Sequence, residues 1–177
     1  DILEGRWAPA HTDGSGRDRE SLKKALALLS EAGYELEGTE LRDSKTGAPF
    51  VFEILATTRE QERLALAFAR DLKRAGITAK LRNVDAVQFD RRKLTYDFDM
   101  IENRWDQSLS PGNEQAFYWG SEAARTDGTR NYMGAQNPAI DAAIAALLQA
   151  RERPEFVSYV RTLDRILISG FYVVPLF

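Results

Sequence analysis

The chain has 177 residues, 44% hydrophobic and 29% charged, which is enough to bury a core without disulfide or metal staples. A formal net charge of -3 and a pI near 5.4, without clustered Lys or Arg, exclude nucleic acid as the main partner. There is no cysteine, which removes disulfides, thiolate catalysis and cysteine-based zinc sites, and no apolar run of about 18 residues that would span a bilayer.

Residues 1–17, with Pro9, Gly14 and Gly16, lack periodicity and read as an opening loop. Leu22, Ala25, Leu26 and Leu29 recur on one face of a first helix over 19–32, which Gly33 closes in a left-handed conformation. The apolar stretches 40–42 and 50–55 flank a turn-rich segment at 43–47 and predict a hairpin. Thr58 and Gln61 form a capping-box pattern that opens a second helix, with Leu64, Ala65, Phe68 and Leu72 as its stripe and Gly76 as its stop. Ile77, Ala79 and Leu81 then alternate with polar residues as a strand, so strand, helix and strand make a βαβ unit with parallel neighbours.

A short helix over 86–94 leads to a strand expected over 98–105, after which Pro111 opens a helix capped by Ser110. Residues 120–131 are polar and predict a surface loop. Asn137 and Pro138 start a fourth long helix as cap and first residue, and Pro154 starts another, with Phe156, Tyr159, Val160, Leu163, Ile166 and Leu167 at helical spacing. The apolar run 171–177 is expected to return to the sheet as a strand. Because linkers are usually polar, this ending predicts that residues 1–177 are a piece of a longer protein, with 1–17 as its opening loop.

The stretch Asn103-Arg104-Trp105-Asp106-Gln107-Ser108-Leu109-Ser110-Pro111-Gly112-Asn113-Glu114 concentrates an aromatic platform, fixed charges and a helix start where a strand ends. Residues at the carboxyl ends of parallel strands line clefts, and Asn103 points to the same side as Trp105. Trp105 therefore reads either as a ligand platform or as a core tryptophan, and Arg104 either as a carboxylate clamp or as a partner of Asp106. Trp119, just before Gly120, reads as packing a helix end.

Catalysis finds little support. His11 is the sole histidine, in a loop, so no metal set or hydrolase triad is in view. Asp97 and Asp99, two apart on the expected strand, are the best-placed carboxylate pair, with Glu102 and Asp106 nearby. Nucleotide-binding and common hydrolase motifs are absent, and no cofactor is implied.

The run Arg74-Ala75-Gly76-Ile77-Thr78-Ala79-Lys80-Leu81, the segment Tyr96-Asp97-Phe98-Asp99-Met100 leading to Trp105, Asn137-Pro138-Ala139-Ile140-Asp141 and the closing helix with Pro175-Leu176 resemble the second lobe of extracellular solute-binding proteins of the oligopeptide- and dipeptide-binding family. The segments 108–114, 119–124 and 128–131 are similar to the branch that also carries microcin C-type peptide conjugates. Typical members have an aspartate three residues after the strand-end tryptophan, where it anchors a peptide amino terminus. This chain has Ser108 there, which puts that recognition in question.

The resemblance implies an α/β lobe with a mixed sheet and flanking helices, which closes with an N-terminal lobe over an extended peptide or peptide conjugate and delivers it to an ABC permease. It implies a periplasmic or lipid-anchored location, no catalysis, no metal and no cofactor. Trp105, Asn103, Arg104, Asp106, Ser108 and Asn113 are the expected ligand-binding residues. A carboxylate-dependent hydrolase domain and a protein interaction module anchored by Trp105 are the alternatives.

Overall fold

A computed structural model describes residues 4, 6–11, 14, 16 and 18–176. Phe177 and the remaining positions of the opening loop lie outside the described residues. The chain divides into two compact units: His11–Arg92 with Asp97–Arg104, and Asp1–Ala10 with Lys93–Tyr96 and Trp105–Phe177. The first is built on sheets, the second on helices.

In the sheet unit, helix α1 (Arg19–Glu31) starts where the Asp18 carboxylate accepts the Ser21 amide at 2.8 Å. The Ser21 hydroxyl on the same carboxylate lowers the Asp18 pKa below its ordinary value. Leu22, Leu26 and Leu29 pack against a small core of Leu41, Ala75 and Ile77. Strands β1 (Tyr34–Glu37) and β2 (Glu40–Asp43) form an antiparallel pair. Here the structure corrects the expected hairpin. The partner of β2 is β1, and β2 touches the following chain through a bridge from Arg42 to Pro49.

Strand β3 (Val51–Ala56), helix α2 (Arg59–Lys73) and strand β4 (Thr78–Asn83) form the predicted βαβ unit, with β3 and β4 parallel. The capping box at Thr58 and Gln61 is formed on both sides. Helix α3 (Ala86–Leu94) precedes β5 (Met100–Ile101), which lies parallel on the other side of β3, giving the order β4-β3-β5.

The strand expected over 98–105 is thus two residues long. Asp99 replaces a ladder contact, its carboxylate accepting the Glu53 amide at 2.8 Å. Beyond Ile101 the ladder has nothing to join, because the Thr57 amide is already given to the Gln61 side chain at 2.9 Å.

The helical unit carries α4 (Glu114–Trp119), a short 3-10 turn (Ala123–Arg125), α5 (Pro138–Gln149) and α6 (Arg153–Ser169). Its core joins Tyr118, Trp119, Ala135, Ile140, Ala143, Ile144 and Leu163, with Ile166, Leu167 and Tyr172 packed against them. Asn137 caps α5 through the Ala139 amide, with Pro138 at the helix start as expected.

Three expectations need correction here. Helix α4 begins at Glu114 rather than Pro111, because the Ser108 hydroxyl takes the Ser110 amide at 3.2 Å and keeps that serine in a local turn. Residues 120–131 are not all surface loop: Ala123, Thr129 and Asn131 are buried, and the Asp141 carboxylate holds the Ser121 amide at 2.9 Å and its hydroxyl at 2.6 Å. No strand forms among the described residues of 171–176. Phe171 takes a left-handed φ of 52°, and the Tyr172 ring packs into the helical core.

The turn between β2 and β3 gives a pH-dependent handle. The Asp43 carboxylate accepts the Thr46 amide at 2.7 Å, the Lys45 amide at 2.9 Å and the Thr46 hydroxyl at 3.0 Å. These bonds, the Thr46 amide foremost, lower the Asp43 pKa. A depressed folded-state pKa adds stability above the unfolded value of about 3.9, and that stability is lost as pH falls through the lower folded value. Asp43→Asn should therefore flatten the fall in unfolding free energy as pH drops below about 4, which urea unfolding across an acid pH series checks. An unchanged slope would mean that the turn does not hold this carboxylate in the folded state.

Candidate ligand-binding site

An aromatic ladder organises the helical unit around Trp105. The Trp105 ring lies 4.9 Å from the Trp119 ring, tilted by 47°, and 6.3 Å from the Tyr132 ring. Tyr132 in turn meets Tyr96 at 6.0 Å, and the Lys93 ammonium sits 4.6 Å from the Tyr132 centroid. Such tilted pairs each add about 0.5–1.5 kcal/mol beyond their burial, and the cation contributes a comparable amount on an aromatic face.

The polar groups of Trp105, Trp119 and Tyr96 are engaged within the unit. The Trp105 indole N–H donates to the Arg130 carbonyl at 3.1 Å, and that of Trp119 donates to the Gln115 side-chain oxygen at 2.9 Å. The Gln115 amide group then donates to Gln107 at 2.8 Å. The Tyr96 hydroxyl bonds to that of Thr129. Trp105 therefore has its one hydrogen-bond donor engaged within the helical unit. It is half-buried and packs against the core, whereas Trp119 is buried in it, as its place before Gly120 predicted.

Asp106, Ser108 and Asn113 are exposed along the loop that leads to α4. The Ser108 hydroxyl donates to the Ser110 carbonyl at 2.8 Å, so it serves its own loop. Asn113 precedes α4 without a side-chain capping bond. The Glu114 carboxylate reaches back to the Gly112 amide at 2.8 Å, and this bond lowers its pKa below the ordinary carboxylate value. Asn103, half-buried, and Arg104, exposed, close the sheet unit just before Trp105 in the chain.

Sequence reading missed Tyr96, Tyr132, Lys93 and Asn131. Tyr96 lies just before the strand expected over 98–105, and it adopts a left-handed φ of 55° in a turn. The best-placed carboxylates have structural partners. Asp97 accepts from Arg92 at 2.9 Å, and Asp99 holds the Glu53 amide. Among the described residues no group of three His, Asp or Glu side chains could hold a metal, and no helix is long and apolar enough to cross a membrane.

Comparison with known proteins adds a family to this geometry. The model of bacterial extracellular solute-binding proteins, family 5 Middle, matches residues 2–127. A putative binding protein of Brucella melitensis is 49% identical over all 177 residues, and the peptidoglycan-binding protein YepA of Agrobacterium fabrum is 42% identical over the same span. The chain spans 29% of the length of each of these relatives. In structure it is similar to the oligopeptide-binding protein AppA of Bacillus subtilis in complex with a nonapeptide, with a TM-score of 0.74 at 19% identity over 97% of this chain and 36% of that one. At that identity the likeness speaks for the α/β fold, which agrees with the fold class read from the sequence. With more than half its length matched by the family model, the chain belongs to family 5 of the bacterial extracellular solute-binding proteins.

Proposed function

We propose that this chain is the C-terminal lobe of the substrate-binding component of an ABC importer, which holds oligopeptides between two lobes and delivers them to a membrane permease. The observation that carries this reading is Trp105. Its N–H is satisfied by the Arg130 carbonyl, so the ring is held as a rigid stacking surface at the start of a polar loop. An aromatic plane of this kind accepts many side chains and peptide planes with little discrimination, which suits a carrier of varied peptides.

Asp106, Ser108 and Asn113 would supply polar contacts along that loop, and Asn103 and Arg104, just before it in the chain, are proposed as further ligand contacts, with specificity set by main-chain bonds and bridging water. Peptide is the chemistry common to the nonapeptide held by AppA and to peptidoglycan, whose stems are peptides. Microcin C-type conjugates fit the same scheme through their peptide part, as the resemblance of 108–114, 119–124 and 128–131 to that branch suggests. The location would be periplasmic or lipid-anchored at the cell surface. The protein would bind without turnover, since Asp97 and Asp99 are engaged in holding α3 and β3.

Calorimetry of the complete gene product with a mixed peptide pool tests this reading. Stoichiometric heat without peptide hydrolysis is the expected result, and hydrolysis that scales with enzyme concentration would instead support the carboxylate hydrolase. Trp105→Ala should weaken peptide binding by about 1–3 kcal/mol, the usual range for an aromatic anchor. Because the ring also packs on Trp119, the same change should lower stability by about 2 kcal/mol. Destabilisation with unaltered affinity per folded molecule would assign Trp105 to the core alone.

A further inference from the structure

The geometry points to a second subsite, on the outer face of α2, for a zwitterionic α-amino-acid head group that carries an ammonium and a carboxylate on one carbon. A concavity of about 310 Å³ is lined by Glu60, Arg63, Leu64, Ala67 and Glu102. The four helix residues are spaced i, i+3, i+4 and i+7, so they form one stripe of α2, turned away from the face that buries Ala65. Glu102 joins them from just beyond β5, one residue past the pair Leu55 and Ile101. Glu60 lies in the first turn of the helix that leaves β3. The concavity thus opens at the carboxyl edge of the parallel strands, where open α/β sheets bind ligands.

The charges in it are unspent. Arg42, Arg82 and Arg92 each meet a carboxylate in the same unit. Among the described residues, Glu60, Arg63 and Glu102 make no ion pair, although Glu60 and Arg63 stand at a spacing that commonly forms one. A guanidinium suits a ligand carboxylate through paired N–H donors, and two carboxylates suit the three N–H groups of an ammonium. Leu64 and Ala67 provide an apolar floor for the carbon between them. A ligand with one charge alone makes only one of these two sets of charge-assisted contacts, and that missing set is what discriminates.

The inference rests on the binding-protein reading for how such a ligand arrives, and on the concavity for its chemistry. Ligand-observed saturation-transfer NMR on the complete gene product tests it with L-alanine, L-alaninamide and N-acetyl-L-alanine. L-alanine should bind at least about tenfold more tightly than either singly charged analogue. Arg63→Gln should erase its advantage over L-alaninamide, and Glu102→Gln its advantage over N-acetyl-L-alanine. All three charged side chains are exposed, so an unchanged thermal midpoint checks that the variants fold.

The head group could come as a free amino acid or at the end of a peptide side chain. A peptide carrying 2,6-diaminoheptanedioate, compared with the same peptide carrying lysine, separates these sources. A preference of about tenfold for the first peptide, lost in both variants, supports the peptide-borne source, and a preference confined to L-alanine supports the free one. Equal binding of the three alanine compounds, or an advantage that survives both substitutions, overturns the subsite. Peptide binding that persists without zwitterion preference removes the subsite and leaves the importer reading standing. A zwitterion preference without any peptide binding does the reverse.

Discussion

Asn131→Ala should lower the unfolding free energy by about 3–5 kcal/mol, the largest effect expected of a polar substitution among the described residues. The side chain is fully buried, with a relative exposure of 0%. Its amide nitrogen donates to the carbonyls of Gly120 and Ala135, each at 2.9 Å, and its oxygen accepts the Ala135 amide at 3.0 Å. Alanine would leave three backbone groups in a dry interior, each costing about 1–3 kcal/mol when orphaned. Asn131→Asp should be no better, since it turns the donor into an oxygen facing two carbonyls. Urea unfolding checks both variants, and a loss below about 1 kcal/mol for Asn131→Ala would show that the loop rearranges to satisfy itself.

The second large effect is expected at Gly76, where Gly76→Ala should cost about 2–4 kcal/mol. Gly76 sits at φ +81°, and a Cβ there would lie 2.7 Å from the Leu41 amide nitrogen and 2.5 Å from a Leu36 methyl. Leu36 is exposed and can swing aside. The Leu41 amide cannot, because it donates to the Gly76 carbonyl at 2.8 Å and so fixes β2 against the end of α2. Gly47→Ala is the matched control, with φ +70° and nothing within 4 Å of its Cβ. It should show the backbone strain alone, about 1–2 kcal/mol, and the difference between the two variants isolates the close crossing. Equal losses would mean that β2 moves freely, in conflict with the packing of Leu41.

The features legible in the sequence are those whose physics is local. Thr58 and Gln61 cap α2, and Asn137 and Pro138 start α5, because a capping bond spans only two or three residues. The stripe of α1 was readable for the same reason. Strand β1 was not: Tyr34, Glu35, Leu36 and Glu37 are too few and too acidic to signal a strand, and only pairing with β2 makes them one. The expected strand to Trp105 failed at both ends because distant groups, the Glu53 amide and the Gln61 side chain, decide where the ladder stops.

The site divides along the same line. Trp105 stood out as an aromatic residue opening a polar loop, and its neighbours in sequence could be named with it. Its neighbours in space could not, since Trp119 and Tyr132 reach it, and Tyr96 reaches Tyr132, only through the fold. Asn131 sits in a stretch rich in Thr, Gly and Asp that reads as solvated, and nothing local marks it as an interior residue. Its three bonds come from carbonyl and amide groups positioned by the loop and the entry into α5.

The division of the backbone between the two units bears on inheritance as well as on folding. The chain passes from one to the other at residues 10 and 11, 92 and 93, 96 and 97, and 104 and 105. Neither unit is therefore a single stretch of gene, and no one crossover between related genes could exchange the helical unit while leaving the sheet unit whole. Recombination in this region should be tolerated only when it moves both together, so the two units are expected to share one line of descent and to drift as a pair.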